Sequence, residues 1–231
     1  MRELLQRLSL CAAVLVGTSA LNPGQVLAQA KPSRVLLYTS VPQELATQFA
    51  DAFMRKHPDI KVEIYRAGST EVGAKLAAER EVGGFRADLL WLADAPIYYD
   101  LRKRGELLAY ISPEAKAIPA DLKDANGFFT AGRLINMIVA VNTDVTPLKD
   151  APKSWKDFPD FGKKAVMGNP LYSGSNFVTV AAFVKKDGNW GWFERARGKG
   201  VAIVRGNSEA ASALAGREFG IAMTLDYIIA G

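Results

Sequence analysis

Cysteine is nearly absent from this chain: Cys11 is the only one among 231 residues. It falls within the first thirty, so a mature form without them has no thiol. Disulfides, thiolate metal sites and cysteine nucleophiles are then excluded. Histidine is as scarce. His57 stands alone between Lys56 and Pro58 at a predicted helix end, where it reads as a surface residue. A Ser-His-Asp triad would depend on it entirely, and zinc held by imidazole and thiolate has no ligands. Long apolar runs are missing too, since Leu8–Val16 is too short to anchor a helix across a bilayer. Neither G-x-S-x-G, S-x-x-K, a phosphate loop nor a dinucleotide fingerprint occurs. The net charge is +5 at pH 7, with the basic residues scattered. That excess steers small anions but leaves no nucleic-acid footprint. The expectation is a protein that is not an enzyme and carries no cofactor and no resident metal, although its tyrosines and carboxylates leave an oxygen-ligand metal site open.

What is present begins with an export signal. Residues 1–30 have Arg2 and Arg7, then the apolar stretch Leu8–Val16, then Ala28-Gln29-Ala30 as an A-x-A cleavage site. Export without disulfides points to a bacterial periplasm. About 200 residues remain, enough for one large domain or two small ones.

The body of the chain alternates strands and helices. Arg34–Tyr38 reads as a buried strand. A helix capped by Ser40, with Gln43 at capping-box spacing, follows it, and Leu45, Phe49 and Phe53 form its apolar stripe. It ends near His57, because Pro58 disfavours helix in the residue before it. Lys61–Tyr65 alternates as a half-solvated strand, and Val72 and Leu76 mark the buried side of a second helix. Ala87–Ala93 is a third strand and Ile97–Lys103 a third helix. This order implies a mostly parallel sheet covered on both faces. After an irregular stretch over 106–127, a long strand spans Leu134–Asn142 and the pattern restarts. Strands are expected at Ala165–Met167, Val201–Val204 and Phe219–Leu225, with helices over Ser175–Val184 and Glu209–Leu214. Trp190 and Trp192 flank a glycine in what reads as a loop. The chain stops at Ile228-Ile229-Ala230-Gly231, directly after an apolar strand, and the expectation is that a C-terminal part is missing.

Four junctions carry the functional signal: Tyr38-Thr39-Ser40, Ala67-Gly68-Ser69-Thr70, Tyr172-Ser173-Gly174-Ser175 and Gly206-Asn207-Ser208. At each, a strand runs into a small hydroxyl, Asn or Gly residue that opens a helix. The first-turn N–H groups have no intrahelical partner, and with the macrodipole they favour an anion. In open α/β sheets ligands lie beyond the carboxyl ends of the strands. Thr39, Ser40, Ser69, Thr70, Ser173, Gly174 and Ser175 are therefore candidate ligand donors, although each hydroxyl also serves as an ordinary cap. Asp94 and Asp226, at two further strand ends, are candidates for a ligand amine or hydroxyl, and Tyr227 for the cleft wall.

Several segments, taken in order, resemble a known family. They are Tyr38-Thr39-Ser40, Gly68-Ser69, Ala87-Asp88-Leu89-Leu90-Trp91, Val139-Ala140-Val141-Asn142-Thr143, Pro152-Lys153-Ser154-Trp155-Lys156-Asp157, and Asn169-Pro170 followed by Ser173-Gly174. Together they resemble the extracellular solute-binding proteins of ABC transporters, in the iron(III)-binding-like branch. The resemblance implies a type II periplasmic-binding-protein fold, two α/β lobes on a hinge that close on a ligand. It places a first lobe over residues 31–138, incomplete without a later return of the chain, and a second over 139–231. It implies a monomer that delivers its ligand to ABC permease subunits. Ferric members of the branch use clustered tyrosines, but only Tyr227 stands beside Asp226 here, and Val41-Pro42 follows the first strand where a His-Tyr pair is usual. An organophosphate or phosphonate ligand is accordingly expected ahead of ferric ion. An exported hydrolase or transferase on the same fold is the alternative of another class.

Overall fold

In the computed structural model, which describes residues 33–230, the chain builds two sheets. The signal-peptide reading of residues 1–30, with Cys11, lies outside the described residues. The first sheet contains β1 (Ser33–Thr39), β2 (Ile60–Arg66) and β3 (Leu89–Trp91), all parallel in the order β2-β1-β3. Helices α1 (Gln43–Lys56) and α2 (Ser69–Glu81) connect these strands, and α3 (Ala95–Lys103) follows β3. The second sheet contains β4 (Met137–Val141), β5 (Ala165–Gly168), β6 (Ala202–Val204) and β7 (Ile221–Leu225), in the order β4-β7-β5-β6. Between β5 and β6 come α4 (Gly174–Asp187) and α5 (Gly191–Lys199). Next come α6 (Asn207–Ala215) before β7 and α7 (Asp226–Ala230) after it. β4 runs antiparallel to β7, and the other pairings of this sheet are parallel.

Sidedness in the second sheet follows from the two-residue period of a strand. Ala165 and Met167 of β5, with Ile221 and Met223 of β7, face a core closed by Phe158, Trp192 and Ala196. The residues between them, Val166 and Ala222, face a separate core with Ala210 and Leu214 of α6. Both faces are thus covered, which is why β7 reads as an unbroken buried segment. In the first sheet Tyr38 packs with Ala67, Val72, Leu76 and Leu101.

Four local expectations are corrected. Helix α1 has Pro42 at its N-cap, and Ser40 does not cap it. The Ser40 hydroxyl instead accepts from the Ala93 N–H at 3.1 Å and ties β1 to the end of β3. The buried side of α1 is Ala46 and Ala50, while Phe49 and Phe53 are 52% and 40% exposed. Helix α1 packs against β2, and the side it buries carries small side chains, which allow close approach. β3 is shorter than expected because Asp88 takes over its first turn of pairing. Its backbone N–H donates to Leu36 O at 2.9 Å, and its carboxylate accepts from Leu36 N at 2.8 Å. Trp190 and Trp192 belong to no loop: Trp190 caps α5, and Trp192 lies within it, stacked on Phe158 at 5.7 Å. β4 pairs with β7 of the second sheet along its whole length, Met137–Val141.

Candidate functional site

All four strand–helix junctions open onto one cleft of about 1070 Å³. Ser40 and Gln43 line it at the start of α1, Gly68 and Ser69 at α2, Ser173–Ser175 at α4, and Gly206–Ser208 at α6. The two sheets meet tightly along one side of it. A Cβ on Gly68 would sit 2.2 Å from the Tyr172 carbonyl oxygen, and one on Gly174 would sit 2.5 Å from Ser69 Oγ. Side chains larger than hydrogen do not fit at either point.

Hydrogen bonds decide which candidate groups remain open to a ligand. Thr39 is fully buried and lies behind the cleft. Its hydroxyl donates to Trp91 O at 2.7 Å and accepts from Val41 N at 3.1 Å. Its role is to splice β1 to β3. Thr39→Val is expected to lower stability by about 1–3 kcal/mol and to leave ligand affinity unchanged, as checked by urea melts alongside titration. Thr70 is exposed on α2, outside the cleft lining. Ser69 is fully buried, and its Oγ lacks a partner. Ser173, Ser175, Asn176 and Asn207 form one network. The Asn207 amide donates to Ser173 Oγ at 3.0 Å and to Ser175 Oγ at 2.8 Å. The Asn176 amide donates to Ser173 Oγ and to Asn207 Oδ1. The two serine hydroxyls lie 3.1 Å apart and share one proton donor between them, leaving the other O–H for a ligand.

The two aspartates differ. Asp226 is outside the cleft lining. Its carboxylate accepts from the side chain and backbone of Asn136, at 2.7 and 3.3 Å, and from Tyr227 N at 2.8 Å. The bond from the Asn136 side chain is the main reason its carboxyl lies below the usual range. It joins the ends of β4 and β7. Asp94 sits beside Gly174 and Ser69 at the seam, 8% exposed and with Oδ1 unpaired, and burial pushes its carboxyl up. Tyr227 does line the cleft, with its phenol oxygen accepting from Arg133 at 3.2 Å.

The sequence reading missed the arginines. Arg66 ends β2, Arg205 follows β6, and Arg133 lies in the segment between the sheets; all three line the cleft. Arg66 donates to Val41 O at 3.3 Å and to the Tyr172 hydroxyl at 2.8 Å. Arg205 lies 4.3 Å from the centroid of the same tyrosine ring and 3.4 Å from Glu71 across the seam. Arg133 stacks on Tyr227 at 4.3 Å and on Trp91 at 5.9 Å. Two of the three had a signal in the sequence: Arg66-Ala67-Gly68 and Arg205-Gly206 place a cation where a strand ends and a helix is about to open. Arg133 had none. Among the described residues no group of three or more His, Cys, Asp or Glu side chains is placed to hold a metal ion.

Two mostly parallel sheets, each sandwiched by helices, with helix openings gathered around one cleft between them, define a two-lobed binding protein of the type II periplasmic class. Residues 39–223 match the model of the bacterial extracellular solute-binding proteins, and the chain belongs to that family. Among solved structures, iron-bound HitA from Pseudomonas aeruginosa is 25% identical with a TM-score of 0.72, over 85% of this chain and 64% of that one. AfuA from Actinobacillus pleuropneumoniae, with exogenous fructose-6-phosphate bound, is 23% identical with a TM-score of 0.75, over 86% of this chain and 65% of that one. The ferric binding protein of Campylobacter jejuni is 21% identical with a TM-score of 0.70, over 84% and 62%. The chain therefore spans less than two thirds of the length of these relatives. No curated protein matches it.

Proposed function

We propose that the protein is the periplasmic ligand-binding component of an ABC importer, capturing a small organic anion of the phosphate or phosphonate type in the cleft and presenting it to the permease. The observation that carries this reading is the state of Arg66 and Arg133. Both are half-buried in the cleft wall, and every hydrogen-bond partner found for them among the described residues is neutral: Val41 O, the Tyr172 hydroxyl and the Tyr227 hydroxyl. Partly buried guanidinium groups are ordinarily matched by carboxylates or a bound anion, because an uncompensated charge away from water is costly. Four helix openings supply further N–H donors around the same space. A phosphoryl group offers several acceptor oxygens and suits the planar fork of arginine. Ser40, Ser173 and Ser175 are the neutral donors in this reading, and Tyr172 and Tyr227 shape the walls. AfuA, solved with fructose-6-phosphate, supports this ligand class.

A ferric-ion receptor is the second reading, favoured by the likeness to iron-bound HitA and by the two tyrosines in the cleft. Two arginines within reach of Tyr172 weigh against it, since they repel a trivalent cation. Titration calorimetry with inorganic phosphate, methylphosphonate, fructose-6-phosphate and ferric citrate separates the two. The expected result is saturable binding of an organic phosphate or phosphonate that weakens with added salt. Iron uptake with a visible tyrosinate band, and no response to any of the anions, would reverse the assignment.

A further inference from the structure

Three observations coincide where the first lobe meets α4. Ser69 is fully buried and its Oγ has no hydrogen-bond partner, and Asp94 is 8% exposed with Oδ1 equally unpaired. A Cβ on Gly174 would lie 2.5 Å from Ser69 Oγ and 3.1 Å from Asp94 Cβ, so this glycine lids both groups with no space left over. Asp94 is the N-cap of α3, yet its side chain makes no capping bond. Its neighbour Ala93, together with Ser69 and Gly174, lines the cleft. A carboxyl group in this place is therefore dry only while the two sides are pressed together.

We propose that closure of the cleft over its anion is coupled to uptake of a proton at Asp94, so that capture tightens in acid and release is favoured at higher pH. The proposal rests on the reading of the cleft as an anion site and adds its regulation. With the seam apart, water reaches Asp94 and it ionises as an ordinary carboxylate. With the seam closed, an ionised carboxylate with an unpaired oxygen is penalised by its loss of water, and the neutral acid is penalised far less. No charged side chain from α2, α3 or α4 counters this. Burial alone pushes the Asp94 carboxyl up, and Tyr98 of α3, its phenol pushed up to about 12 by its own burial, stays neutral. A bound anion has the same sign as the carboxylate and favours the neutral acid further. Because the closed state has the raised value, closure gains as pH falls through that value and loses as pH rises above it.

The test is the affinity for inorganic phosphate between pH 4.5 and 7.5, for the wild type and Asp94→Asn. The titration of phosphate itself is common to both proteins and cancels in their ratio. The wild-type to variant affinity ratio is expected to rise several-fold as pH falls. The wild type is also expected to take up more protons on binding than the variant, read in buffers of different ionisation heat. A flat ratio with intact phosphate binding overturns the proposal and leaves the anion reading standing. If neither protein binds phosphate or methylphosphonate, both fall together. Gly174→Ala provides an independent arm should Asp94→Asn fold poorly. Its methyl group wedges the seam and hydrates Asp94, so the acid-side tightening should disappear; full retention of it in that variant also overturns the proposal.

Discussion

Arg66→Ala should reduce anion capture more than any other single change in the cleft. The arginine leaves the end of β2 and is held in place from both lobes, by Val41 O at 3.3 Å and by the Tyr172 hydroxyl at 2.8 Å. Its removal deletes a cation facing the ligand and an interlobe hydrogen bond together. Truncating one partner of a desolvated charge pair costs about 2–5 kcal/mol, which corresponds to affinity losses of roughly thirty-fold to several thousand-fold. Arg66→Lys should restore only part of this, because a point-charge ammonium does not reproduce a planar fork that engages two acceptors and the ligand at once. Calorimetry with whichever organic phosphate or phosphonate binds the wild type reads the effect, and thermal melts verify that the variant is folded. An affinity within a factor of two of wild type for Arg66→Ala would remove the main support for the anion assignment.

Glu79→Ala should have the largest effect on stability. Glu79 is 6% exposed on α2, where Oε1 accepts from the Tyr38 hydroxyl at 2.6 Å and from Lys75 Nζ at 2.9 Å, while Oε2 accepts from Arg86 N at 3.0 Å. Burial by itself pushes this carboxyl up. The bonds from Arg86 N, Tyr38 and Lys75 outweigh that and hold it below its ordinary value. Without it, Tyr38, only 2% exposed, loses its partner, and Lys75 loses its counter-ion. Removing one member of a buried, hydrogen-bonded charge cluster costs about 3–5 kcal/mol, visible as a lower urea midpoint with an unchanged slope. The pH dependence has a definite sign. A depressed folded value means the stabilisation is complete above the unfolded carboxyl pKa of about 4.3 and is lost as pH falls through the folded value. The gap between wild type and variant should therefore narrow below about pH 4. A gap that stayed constant into acid would mean that Glu79 acts through packing rather than charge.

Much of the fold was legible because its determinants are local. The alternation over Lys61–Tyr65 and the apolar spacing of Val72 and Leu76 became β2 and the buried face of α2. Where local signals competed, they misled. The Ser40/Gln43 spacing looks like a capping box, but the serine hydroxyl is engaged by Ala93 just beyond the end of β3, a partner 53 residues away. The glycine between Trp190 and Trp192 reads as a loop, but stacking of Trp192 on Phe158 draws that segment into α5. The stripe of Phe49 and Phe53 suggested the buried side of α1, while the surface it meets accommodates Ala46 and Ala50. In the site, the structure brings Ser40, Ser69, Ser173, Gly174, Ser175 and Tyr227 to one cleft and leaves Thr39, Thr70 and Asp226 out of its lining.

By itself, the amino-acid order determined the succession of strands and helices and the small residues at the four strand–helix junctions, because periodicity and turn preference depend on neighbours a few positions away. Only the tertiary structure decided that these openings share a single cleft, that Arg66, Arg133 and Arg205 face it, and that Asp94 lies dry beneath Gly174. Those are relations between residues of separate lobes, set by how two sheets meet, and no local pattern encodes the distance between them.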